Sequence, residues 1–311
     1  MSVVVVTDTS ARLPADLRDT WAIREVPLHI LLDGADLRDG VDEIPADIYQ
    51  RHATTAAATP AELDAAYRQA LADSDGDGVV AVHISSGLSG TCRAAELTAA
   101  GLGPAVRVID SKSAAMGTGF TVLAAARAAA AGNDLDAVAR AAQEAVRRTQ
   151  AFIVVHRLDN LRRSGRIGGA KAWLGTALAL KPILRIDDGK LVLAQRVRTV
   201  KHAMAAMIDR VCEVVGEGPA AVAVHHVANS GGAGEVAAEL ARRLPAGEPA
   251  IVTDLGPVLA VHVGAGRSQS ACTLTVSAEA VRPVGQRPSF LSGWDRSRYR
   301  SARWRRGNSR Y

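Results

Sequence analysis

Apolar and polar positions follow two rhythms in the first half of the chain. Short β-branched runs at Val3–Val6, Ile23–Ile30 (broken by Pro27), Val79–Ile84 and Val106–Ile109 read as strands. Between them lie stretches of helical character: Pro14–Trp21, Pro45–Arg51, Pro60–Leu71, Cys92–Ala100 and Lys112–Ala131. Three of these open on proline, which suits the first helical turn because its missing N–H has no partner there anyway. Strand, loop and helix in repetition predict an α/β fold whose N-terminal part is a mostly parallel sheet with helices on both faces.

Near residue 150 the rhythm changes. Ile153–His156 reads as a strand, Leu158–Ser164 and Trp173–Leu178 as helical pieces, and Pro182–Ile186 with Leu191–Arg198 as a hairpin about Asp187-Asp188-Gly189-Lys190. A helix over Lys201–Val215, a strand over Ala221–His226, a helix over Gly234–Leu244 and strands over Ile251–Asp254 and Val258–Val263 complete this half. The pattern predicts an N-terminal α/β domain over 1–150 and a C-terminal α+β domain over 151–266, with a closing strand extending to 276 and a tail over 277–311.

Composition refines this picture at three points. Hydrophobic residues make up 48% of the 311 and aromatics only 4%, so the cores are built from Ala, Val, Leu and Ile. Cys92, Cys212 and Cys272 are scattered, odd in number and without metal-ligand spacing, so neither disulfides nor a zinc site is expected, and no cofactor. The N-terminus has no basic leader and no apolar run reaches membrane-spanning length; the Ala-rich stretch 119–132 carries Arg127 and reads as a buried helix. A cytoplasmic protein without a membrane span is the expectation.

The net charge of +5 belongs to the tail. Residues 267–311 carry ten arginines against Glu279 and Asp295, a balance of +8, which leaves −3 for the first 266 residues. The tail holds Phe290, Trp294, Tyr299, Trp304 and Tyr311 among aperiodic Arg, Ser and Gly, and reads as disordered. Its abrupt onset suggests a shifted reading frame near codon 267; a genuine basic segment for nucleic acid or anionic membrane is the alternative, with nucleic acid the weaker expectation.

Several clusters carry candidate chemistry. Thr7-Asp8-Thr9-Ser10 ends the first strand, where Ser10 or Thr9 is expected to cap the helix at Pro14, or the cluster to support a ligand site. Ser85-Ser86-Gly87-Leu88-Ser89-Gly90-Thr91 ends another strand and opens a helix. Glycines there allow close backbone approach, and free N–H groups beside Ser hydroxyls suit a carboxylate or phosphate. It is neither a Walker loop nor a nucleophile elbow, and an ordinary Ser-capped turn fits equally well. Thr59 before Pro60 reads as a helix cap, the Arg162–Gly169 run as a phosphate-binding or merely solvated turn, and His262 after an apolar run as a site residue or a satisfied core histidine.

In order and spacing these stretches resemble the DegV family. The matching pieces are VVVVTDTS at 3–10, VPLHI at 26–30, RDGVDE at 38–43, ISSGLSGT at 84–91, VIDSKSAAMGTG at 108–119, LRRSGRIGG at 161–169, LKPIL at 180–184, DGKL at 188–191, RVRT at 196–199 and GPVLAVHVGAG at 256–266. The resemblance implies two domains with one long-chain fatty acid, such as a C16–C18 acid, held between them. It implies a carrier, not an enzyme, that presents the acid to a fatty acid kinase for phosphorylation and delivery to lipid synthesis. Carried over position by position, it places the carboxylate at Thr55, Ser85, Ser86, Ser89 and His262, and puts Arg166 and Arg198 at a partner-facing or pocket-closing surface. The polar residues that follow this Thr in the family are Ala56 and Ala57 here, and the usual aromatic after SGT is Cys92, expected to pack. Hydroxyls and the backbone N–H groups after Gly87 would seat the carboxylate without a full opposing charge. The competing expectation is a hydrolase or transferase acting on an acyl or phosphorylated small molecule at the same Ser-rich loop.

Overall fold

The first strand, β1 (Val4–Asp8), is buried almost throughout, as a central parallel strand must be. It pairs in parallel with β2 (Arg24–Val26) and β6 (Val79–His83), and β6 pairs in parallel with β7 (Val106–Asp110), giving a four-stranded sheet in the order β2-β1-β6-β7. The computed structural model describes residues 2–48, 51–155, 158–167, 180–245, 248–264 and 272–277, all within one compact unit, 1–281. The Trp173–Leu178 helix and the tail beyond 277 read from the sequence lie outside the described residues.

Helices α1 (Ala15–Thr20), α2 (Pro60–Ser74), α3 (Thr91–Leu102), α4 (Met116–Ala130) and α5 (Leu135–Arg148) accompany this sheet. Two apolar clusters result. Phe120, Leu123 and Val138 pack with Val5, Val80 and Val82, while Leu63, Tyr67 and Ala95 pack with Val6, Val79 and Ala81. Adjacent strand residues thus feed different clusters, the signature of a sheet covered on both faces. Thr59 caps α2 in a reciprocal capping box with Glu62, as the Thr-Pro signal implied.

Three expectations change here. Ile23–Ile30 is two strands in two sheets, because Pro27 ends β2 and the chain then enters β3 (His29–Leu32). β3 lies between β4 (Ala35–Arg38) and β5 (Thr54–Ala56) in a small antiparallel sheet. The Pro45–Arg51 stretch makes single turns through Ile48 N–H to Pro45 O and Arg51 N–H to Ile48 O, with no regular helix among the described residues. The Leu135–Arg148 helix, left unassigned by the sequence pattern, is capped by Asp134 accepting from Ala137 N–H.

The second half forms a six-stranded mixed sheet in the order β10-β9-β8-β13-β11-β12. β8 is Thr149–Val154, β9 Lys181–Asp187, β10 Lys190–Val197, β11 Ala221–His226, β12 Ile251–Asp254 and β13 Cys272–Ser277. The β9–β10 hairpin turns at Asp188 and Gly189, both with positive φ, as the Asp-Gly signal predicts. Helices α6 (Asp159–Arg163), α7 (Val200–Val215), α8 (Ser230–Arg243) and α9 (Gly256–Val263) belong to this half. Val258–Val263, expected as a strand, is α9: Gly256 takes a φ of +75° and Pro257 starts the helix. The strand expected near 272–276 is β13, and it lies at the centre of the sheet between β8 and β11. No helix among the described residues is long and apolar enough to cross a membrane.

Candidate functional site

β5 and α9 are brought together across 207 residues of sequence, and the contact places Thr55 Oγ1 2.7 Å from His262 Nε2. Thr55 is fixed by its antiparallel pairing with Ile30 of β3, and His262 lies in the last turn of α9. The buried Nδ1 of His262 has no hydrogen-bond partner among the described residues. Burial, and then the Arg166 guanidinium, push the His262 pKa down to about 4, so the ring is neutral near pH 7.

Arg166 follows α6 and donates from Nε to the Leu88 carbonyl at 3.2 Å and from Nη1 to the Ser164 carbonyl. Its charge therefore stands beside both His262 and the loop that carries Ser89. Ser89 Oγ lies 2.9 Å from Thr91 Oγ1 and accepts from Thr91 N–H at the start of α3. Thr55, Ser89, Arg166 and His262 all line one cavity of about 730 Å³, its mouth included. Leu28, Ile84, Leu88, Ile153, Leu161, Ile186, Leu191, Leu255, Val258, Leu259 and Val263 provide mostly apolar walls. A mostly apolar pocket with few convergent polar groups is of the kind that holds an apolar ligand with one polar end.

The other predicted residues are engaged elsewhere. Ser85 is buried, donates from Oγ to Gly189 O at 2.8 Å and accepts from Gly87 N–H at 3.1 Å. Ser86 donates to Asp110 Oδ2 at 2.5 Å and is exposed. Arg198 is exposed, and neither it nor Ser85 or Ser86 is in the cavity lining. The expected backbone anion seat is also spent internally, since the N–H groups of Leu88 and Ser89 both donate to Ser85 O. Gly87 answers to a neighbour in the fold: a Cβ there would stand 2.5 Å from the Gly189 carbonyl, so the loop and the hairpin tip meet where only glycine fits. Arg166 also lines the cavity, so a full positive charge stands beside its polar groups.

The cap expected of Ser10 or Thr9 on the helix at Pro14 does not form, since α1 follows Pro14 with no side-chain cap hydrogen bond. Asp8 caps the short 3-10 turn Thr9–Ala11, accepting from Ser10 N–H, and accepts again from Ile84 N–H and His83 Nδ1. Cys92 is fully buried, and burial pushes its thiol pKa up to about 12, as a packing role requires. Sequence reasoning missed the apolar walls and also Ala56, Ala114, Ala115 and Thr273. None of the four carries a local mark in the sequence; Ala115 stands out only in the fold, by a φ of +53° where the chain turns into α4.

Comparison with known proteins finds relatives over most of the chain. A DegV domain-containing protein of Mycobacterium tuberculosis is 77% identical over 266 residues, covering 86% of this chain and 95% of that relative. A Streptomyces coelicolor DegV domain-containing protein is 37% identical over 269 residues, covering 85% and 95%. Among solved structures, a DegV family protein from Thermus thermophilus described by its fatty acid binding superposes with a TM-score of 0.82 at 33% identity, covering 90% of this chain and 100% of that one. DegV of Bacillus subtilis, described as a fatty acid binding protein, matches at 0.78 with 25% identity and the same coverage. The DegV family model matches residues 2–269, and with these relatives it shows that the chain belongs to the DegV family.

Proposed function

We propose that this chain carries one long-chain fatty acid, with the carboxylate at Thr55, Ser89, Arg166 and His262 and the acyl chain along the apolar walls of the same cavity. The observation that carries this reading is the hydrogen-bonded Thr55–His262 pair in a mostly apolar cavity, with His262 Nδ1 without a partner among the described residues. An anion there gains the Arg166 charge and hydroxyl donors, and each such charge-assisted bond contributes about 1.5–3 kcal/mol. The chain supplies more: at roughly 0.8 kcal/mol per buried methylene, about fourteen methylenes offer on the order of 10 kcal/mol before ordering costs. Relatives described as fatty acid binding proteins support the same reading.

In this account the protein positions its cargo and does not transform it. His262 lacks a third group on Nδ1 to orient it as a base among the described residues, so Thr55 is a hydrogen-bonding group and not an activated nucleophile. The bound acid is then presented to a fatty acid kinase, with the exposed Arg198 on the partner-facing surface, as the family resemblance implies. The 2.7 Å Thr55–His262 contact is also a nucleophile–base distance, and it alone favours a second reading as a hydrolase or transferase. Turnover of an acyl ester or acyl phosphate that disappears in His262→Asn would establish that second reading.

Calorimetry of delipidated protein with a long-chain acid and with the alcohol of equal length tests the seat. The acid is expected to bind at least about thirtyfold tighter, and Thr55→Val with Arg166→Met is expected to close most of that gap. Equal affinities for acid and alcohol would contradict the assignment.

A further inference from the structure

β13 lies beyond residue 269, where the family match ends, yet it is a central strand of the six-stranded sheet. Its two faces differ sharply. Cys272, Leu274 and Val276 join the apolar cluster that includes Met207 and Val211 of α7 and Val236 and Leu240 of α8. Thr273, Thr275 and Ser277 alternate with them onto the other face, and all three are buried.

Buried hydroxyls normally have partners. Thr275 Oγ1 has none among the described residues, and neither does Nδ1 of His225. His225 sits directly opposite Thr273 across the β11–β13 ladder. Its Nε2 accepts from Met116 N–H at 3.1 Å, so the neutral ring carries its proton on Nδ1. This strip therefore has polar groups to spare. Thr273, 4% exposed, is the member that reaches the cavity, beside its ladder neighbour Ile153 of the apolar wall. Thr273 adds a hydroxyl from β13 to the polar groups that Thr55, Ser89, Arg166 and His262 contribute from other elements.

We propose that Thr273 is a specificity-determining residue whose hydroxyl pairs with an oxygen borne on the acyl chain, so that the preferred ligand class is a hydroxylated long-chain acid. The inference rests on the fatty-acid reading above and names a subclass of that ligand. A plain hydrocarbon chain buries the Thr273 hydroxyl without a partner, whereas a chain hydroxyl at the right carbon satisfies both groups.

The test is a titration of the delipidated full chain with stearic acid and a series of its positional hydroxy isomers. At least one isomer is expected to bind about three- to tenfold tighter than stearic acid. Thr273→Val should remove that advantage while leaving stearic acid bound as well or better, and Thr273→Ser should keep it. Stearic acid binding shows that the variant's cavity is intact. Overturning results are that no isomer exceeds stearic acid, or that the advantage survives Thr273→Val. If no acid of either kind binds the wild type, the fatty-acid reading itself falls and takes this inference with it.

Discussion

Two histidines, one fully buried and one partly so, make the same kind of contact and lead to different conclusions. His83 Nε2 lies 2.7 Å from Tyr67 OH, and His262 Nε2 lies 2.7 Å from Thr55 Oγ1. Behind His83 the chain of bonds closes within the protein. Its Nδ1 meets Asp8 Oδ2 at 2.9 Å, and Asp8 also accepts from Ser10 N–H, Ser10 Oγ–H and Ile84 N–H. Burial alone would raise the Asp8 pKa, but the bonds from His83, Ser10 and Ile84 outweigh it and hold the carboxylate below its usual range. Behind His262 nothing closes, because Nδ1 has no partner among the described residues and the pair opens onto the cavity. A satisfied polar network holds the fold; an unsatisfied one, beside apolar walls and a cation, invites a ligand.

The largest effect expected from this contrast is on stability. Asp8→Ala leaves His83 and two backbone N–H groups without their acceptor, and should cost about 3–5 kcal/mol in urea unfolding of the ligand-free protein. His262→Leu should cost no more than about 1.5 kcal/mol, since it removes one side-chain contact and leaves no charge stranded. Equal costs would erase the distinction between the two networks.

Acid sharpens the comparison further. In the unfolded chain His262 takes up a proton as pH falls through about 6.5, while in the folded chain it resists until about 4. Its contribution is therefore fully present above pH 6.5 and is lost between 6.5 and 4, on the order of 3 kcal/mol. Buried His225, whose pKa burial pushes down to about 3, adds a loss of the same sign. Unfolding curves at pH 7 and pH 4.5 should show a smaller acid penalty in His262→Leu than in the wild type. Identical pH dependence would show that His262 is not the group resisting protonation.

The smallest effect concerns the serines. Ser85→Ala should cost about 1 kcal/mol of stability, through the lost bond to Gly189 O, and leave fatty acid affinity within about threefold. A large affinity loss at unchanged stability would return Ser85 to the ligand site.

These residues also show what a sequence can disclose. Val79–Ile84 announced a strand because buried parallel strands are continuous apolar runs, and Thr59-Pro60 announced a cap because the cap is local. Val258–Val263 misled, since a short apolar run suits a buried helix as well as a strand, and the deciding marks were Gly256 and Pro257 just before it. Thr55 and His262 carry no local sign of each other; the family resemblance placed both in one site, and the fold shows them in contact. The Ser-Gly loop advertised hydroxyls and free backbone, but which of them face a ligand depends on a hairpin a hundred residues later. Gly189 occupies Ser85 and demands Gly87, and no spacing within the loop could reveal that. Thr273 was invisible for another reason, because it lies past the stretch that the resemblance covered.

Whether the cavity completed by Thr55 and His262 holds one fatty acid, as proposed, can be read by native mass spectrometry of the freshly purified full chain. An added mass equal to a long-chain acid is expected at close to one per chain, lost on delipidation and strongly diminished when Thr55→Val and Arg166→Met are combined. A chain that purifies empty and takes up no added fatty acid would contradict it.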